Sequence, residues 1–161
     1  MNKIFRATQI LGAIALILLF LAGIAVLVWL IPNLSQYLDE RWAEFDGQKD
    51  ELQLLMSLPV LFAECVLGMT FYLNILLVGQ RMFKQSVAKW IWALTGSIFG
   101  LAISFFGVYK WLDFKMALSP VISIFLVVAT LLMLALGFIV VTLLGLLNRA
   151  TSAIRELEEV I

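Results

Sequence analysis

Residues 61–78 read LFAECVLGMTFYLNILLV, and in this apolar run stand two polar side chains with chemistry to offer, Glu64 and, ten residues on, Asn74. A carboxyl in such a setting can exchange a proton, hold a cation, or donate a hydrogen bond when neutral. An ionised side chain at the centre of a bilayer costs at least ~2.5–3.5 kcal/mol, so Glu64 must face the protein interior or water, pair, or take up a proton. No Lys, Arg or His occurs in the apolar interior. The expected partners are therefore hydroxyls on other helices, among Thr95, Ser97, Ser104, Ser123 and Thr130.

Helical geometry puts Ser57, Glu64, Gly68 and Phe71 on one face, with Asn74 roughly 80° away. Polar residues thus form no continuous track, which argues against a channel or a proton relay. Three readings of Glu64 remain. It is a neutral, hydrogen-bonded structural residue, a subunit contact, or the working group of a proton- or cation-coupled carrier.

Other chemistry is poorly supplied. The chain has no His, and its single cysteine, Cys65, excludes an internal disulfide. Zinc sites and His-dependent catalytic constellations are ruled out, and no glycine-rich phosphate loop occurs. No enzymatic activity, cofactor, metal or direct nucleic-acid binding is expected.

The elements that carry these residues follow from composition. Of 161 residues 63% are hydrophobic and 14% charged, and the mean hydropathy is +1.06. That is the make-up of an integral membrane protein. A helix needs ~20 apolar residues to cross a bilayer. Four runs qualify, at about 8–31, 54–78, 88–110 and 119–147. The first lacks the small-residue pattern of a cleaved signal peptide and reads as retained. The expected fold is an all-α, four-helix transmembrane bundle forming one membrane domain over 1–161.

Lys and Arg concentrate on the cytoplasmic side of membrane proteins. The N-terminus, the 79–89 loop with Arg81, Lys84 and Lys89, and the 148–161 tail carry seven, against four on the other face. Both termini are expected in the cytoplasm. The outer segment 32–53 holds six acidic and two basic residues.

Pro32 is expected to stop the first helix, because proline lacks the next helical donor. Beyond it Leu34, Tyr37, Leu38, Trp42 and Phe45 recur at helical spacing, with Asp39, Glu40 and Glu44 facing away. The stretch 34–46 therefore reads as a short interfacial amphipathic helix. Its acidic side is either a solvated face or a docking surface for a cationic peptide or another subunit.

In lipid, helices are held together by close approach at small residues. Gly96, Gly100 and Ser104 recur every four residues on the third span, and Ser123, Thr130 and Gly137 every seven on the fourth. These stripes pack the chain's own helices, or on the third span a homodimer. Trp29, Trp90, Trp92, Tyr109 and Trp111 sit near span ends as interfacial anchors.

Two stretches carry a family resemblance. Leu76-Leu77-Val78-Gly79-Gln80-Arg81-Met82-Phe83-Lys84-Gln85-Ser86-Val87 and the tail from Leu147 to Ile161 resemble the uncharacterised bacterial membrane family called domain of unknown function 2975. The resemblance implies a small membrane protein without a recognised catalytic site, often encoded beside a helix-turn-helix regulator. An accessory, regulatory or envelope-defence role follows by analogy. The basic loop and the tail would then face a regulatory partner, or simply set topology beside anionic headgroups.

Overall fold

The structure, a computed structural model, describes residues 3–78 and 85–159. Among them helix follows helix and no strand occurs. Helix α1 covers Lys3–Ala25, a π-helical turn Val26–Leu30, α2 Ile31–Arg41, a 3-10 turn Ala43–Phe45, α3 Lys49–Val78, α4 Gln85–Phe114 and α5 Pro120–Glu159. Four helical stretches are long and apolar enough to cross a membrane: Ile10–Arg41, Lys49–Leu76, Val87–Phe114 and Pro120–Ala150.

Pro32 does not end the first helix. The chain widens into the π turn, where Ile31 N–H donates to the Val26 carbonyl, five residues back. Pro32 then falls in the first turn of α2, directly after the π turn. The extra residue in the π turn is what lets the helical path run on to Arg41. The Asn33 amide donates to the Trp29 carbonyl at 2.6 Å, closing part of the disturbed turn.

The expected helix over 34–46 differs too. Trp42 is extended, at φ −120° and ψ 115°, and breaks the path before the 3-10 turn. The packed face is Ile31 and Ser35, with Leu38 half-buried, while Leu34, Tyr37 and Trp42 are exposed. That rotation follows because α2 continues α1 and must present the side that already faces α3.

Gly47, at φ +72°, makes the turn into α3, a conformation open to glycine without strain. At the next corner Met116 takes φ +56°, the left-handed cap that usually falls to glycine. Ser119 begins α5 by accepting the Ile122 N–H on its hydroxyl at 3.3 Å, with Pro120 in the first turn. α5 runs from Pro120 through Glu159, about 60 Å at 1.5 Å per residue.

Each long helix packs on the next one in the chain: α1 on α3, α3 on α4 and α4 on α5, with α2 also on α3. No contact of comparable extent joins α1 to α4 or α5 among the described residues. The four helices thus form an open row with α4 its most enclosed member. Lipid tails are as apolar as leucine, so no hydrophobic pressure forces the row to close.

Candidate functional site

Glu64 lies in the middle of α3 and is buried, 9% exposed. Five residues before it, Pro59 interrupts the α3 hydrogen-bond ladder and leaves the Leu55 carbonyl without its helical donor. The Glu64 side chain crosses to α1, where it covers Gly23 so closely that an added methyl group would coincide with Oε1. Oε2 is buried and has no hydrogen-bond partner among the described residues.

The hydroxyls expected to meet Glu64 are engaged elsewhere. Thr95 donates to the Ile91 carbonyl at 2.8 Å, Ser97 to Ala93 at 3.0 Å, Ser104 to Leu101 at 2.7 Å and Thr130 to Leu126 at 2.8 Å. A carbonyl one turn back is always within reach of a helical Ser or Thr, so these groups satisfy themselves locally. Ser123 sits half-buried in the first turn of α5.

Asn74 is half-buried and meets the other glycine of α1: its Nδ2 lies 3.8 Å from the position of a Cβ on Gly12. Gly12 and Gly23 are eleven residues apart, Glu64 and Asn74 ten, and the helices run antiparallel. Glu64 and Asn74 of α3 therefore each meet a glycine of α1, Glu64 filling the space at Gly23 and Asn74 touching at Gly12. Gly23 was absent from the sequence reading, although the matching intervals were there to find it.

Beside this contact Leu16, Ile17 and Phe20 of α1 and Leu67, Gly68 and Phe71 of α3 line a groove of about 230 Å³. Its lining carries no polar side chain. Cys65, next to Glu64 in sequence, is exposed.

The small-residue stripes are used unevenly. The Phe62 ring of α3 packs onto Gly100, and the Phe99 ring of α4 onto Gly137, each where a Cβ would collide. Ser104 is buried and Thr130 half-buried. Gly96 is exposed and has no atom within 4 Å of an added Cβ.

A second concave feature lies where α2, the start of α3 and the α4–α5 corner meet. Leu38, Trp42, Phe45, Met56, Leu112 and Leu118 are among the walls of a cleft of about 550 Å³, with Glu44 and Ser119 its polar lining. Phe45 anchors it, stacked on Trp111 with ring centroids 5.9 Å apart and planes 7° from parallel. Glu40 and Glu44 are exposed, and Gln36 donates to Glu40 at 2.8 Å. Asp39 is not free for docking: its carboxylate accepts the Gln48 N–H at 2.9 Å and ties α2 to the entrance of α3.

Of the basic loop, Lys89 is exposed on the first turns of α4, and Arg81 and Lys84 lie outside the described residues. No group of three or more His, Cys, Asp or Glu that could hold a metal occurs among the described residues.

One family model, described as Protein of unknown function (DUF2975), matches residues 33–161. No curated protein and no solved structure matches the chain.

Proposed function

We propose that this chain, which belongs to the DUF2975 family, is a non-enzymatic multi-pass protein of a bacterial cell membrane that works by binding a partner at its acidic end. An even number of spans supports both termini on one side, and the excess of Lys and Arg in the short loops and tails supports the cytoplasm as that side. The outer end then carries the cleft walled by Leu38, Trp42, Phe45 and Leu118, with Glu44 on its lining and Glu40 on the neighbouring turn.

That cleft is the observation that carries the reading. Apolar walls beside carboxylates suit an amphipathic cationic segment, whose apolar residues fill the cleft while its Lys or Arg residues meet the carboxylates. An envelope-defence role, capturing a membrane-active cationic peptide, is the form of accessory function this surface fits. The basic 79–89 loop offers a regulatory protein a separate contact on the cytoplasmic side, and the open face of α4 at Gly96 offers a second copy a place to pack.

A labelled Lys/Leu amphipathic peptide titrated onto the protein in nanodiscs of zwitterionic lipid tests the main reading. Binding that weakens with salt and with the Glu40→Gln, Glu44→Gln double variant supports it. Equal binding to wild type, variant and empty nanodiscs overturns it.

The second reading is a small proton- or cation-coupled carrier. The buried Oε2 of Glu64, without a hydrogen-bond partner among the described residues, favours it, because a structural acid ordinarily has its hydrogen-bonding capacity used. Flux into liposomes that stops with Glu64→Gln, while the protein still folds, supports a carrier.

A further inference from the structure

We propose that the outer end of the molecule is a hinged cap whose tilt opens and closes the cleft walled by Leu38, Trp42, Phe45 and Leu118. The proposal deepens the partner-binding reading, on which it rests, by naming how access to that cleft is regulated.

Two interruptions of the helices lie side by side. Gly23 of α1 meets Glu64 of α3, and the pair Gly12 and Asn74 shows that the two helices run antiparallel. Five residues further out, α1 has reached Val28 in the middle of its π turn and α3 has reached Pro59. α3 packs against the π turn, so both breaks share one level of the bundle. Prolines and π turns are where helices bend, because each disturbs the regular hydrogen-bond ladder. Neither break is held by close packing: no residue of the π turn is buried, and Pro59 is half-buried. One bent helix would pivot against a straight neighbour, whereas two breaks at one level let both helices bend together.

Beyond that level the chain is sewn into one body. α2 packs on α3, the Asp39 carboxylate accepts the Gln48 N–H, and Ile31, Ser35, Phe45 and Leu52 are buried. This cap supplies one wall of the cleft, with Leu38, Trp42, Phe45 and Met56, while Leu112 and Leu118 at the α4–α5 corner supply the other. The stacked rings of Phe45 and Trp111 bridge the cap and α4 and act as the latch. A tilt of the cap therefore changes the width of the cleft, a hinge closure carried by a few residues at the ends of elements.

The test uses the full chain in zwitterionic nanodiscs with Cys65→Ser, so that the exposed native thiol takes no label. Spin labels on Tyr37→Cys and Asp113→Cys, both exposed positions, report the distance across the cleft. Labels on Tyr37→Cys and Asp50→Cys report the cap alone. Tyr37 stands nine residues beyond Val28, about 14 Å, so a tilt of about 20° moves it about 5 Å. The expected result is a distance across the cleft that spreads about 5 Å wider than the distance within the cap. Pro59→Ala restores the donor that the Leu55 carbonyl lacks and narrows the spread. Deletion of Val28, which returns the π turn to a regular helix, narrows it too, and Phe45→Ala, which removes the latch, widens it. Each variant is first checked for cooperative melting. Equal spreads for the two label pairs overturn the proposal, as does a spread that both hinge variants leave unchanged. The Lys/Leu peptide separates the hinge from the docking reading. Binding that shifts the distance across the cleft supports both, and binding without a shift overturns the cap as a gate while docking stands. A wide spread without peptide binding supports the hinge and removes docking.

Discussion

The carboxyl of Glu64 occupies the space that a side chain on Gly23 would need, so α1 and α3 meet at an acid set against a glycine. The contact works only while position 23 has no Cβ. Gly23→Leu is therefore expected to cost about 1–3 kcal/mol, as forcing atoms into filled space usually does. Thermal melting in mild detergent measures it. Adding Glu64→Ala should recover part of the loss, and strict additivity of the two variants would show that the residues do not compete for one space.

Gly100 and Gly96 belong to one sequence stripe but differ in surroundings. At Gly100 the rigid Phe62 ring blocks a Cβ, whereas Gly96 stands open. Gly100→Ala should lower stability by about 1–3 kcal/mol. Gly96→Ala should be neutral or raise stability by up to about 1 kcal/mol, the helix-propensity gain. If Gly96→Leu instead shifts the protein from dimer to monomer in light scattering, that open face of α4 is an interface between copies.

Phe45 is 6% exposed and stacks on Trp111, tying the 3-10 turn to the end of α4. Phe45→Ala should cost about 3 kcal/mol, the low end for a buried phenylalanine. The same variant should abolish peptide binding at the outer cleft. Unaltered binding would place the peptide somewhere other than this cleft.

Met116 adopts a left-handed backbone that costs an ordinary residue roughly 1 kcal/mol and costs glycine little. Its side chain is 93% exposed, so little packing is lost by removing it. Met116→Gly should raise the unfolding free energy by about 1 kcal/mol, and a fall in chemical denaturation midpoint would contradict the cap assignment.

Hydropathy sufficed for the number and type of the long helices, because four apolar runs of membrane length admit little else. The corner at Ser119 and Pro120 was equally legible, since cap and proline preferences are local. Pro32 misled because a π turn absorbs the misfit, and nothing in the neighbouring residues announces that turn. Asp39 looked like a solvated acid, and its bond to the Gln48 backbone depends on how the chain doubles back at Gly47. Glu64 stands out in the sequence as the one charge in a long apolar run, but its neighbour does not. Hydroxyls drew attention as polar partners, whereas the true neighbour is a glycine, distinguished by what it lacks.

The open row has a consequence for how the protein is made. Each long helix rests on the one that left the ribosome just before it, so every docking step joins segments separated by one short connection. Contacts of this kind are low in contact order, which in soluble domains goes with fast assembly. The first helix need not wait for the last, and the order of synthesis is already the order of construction.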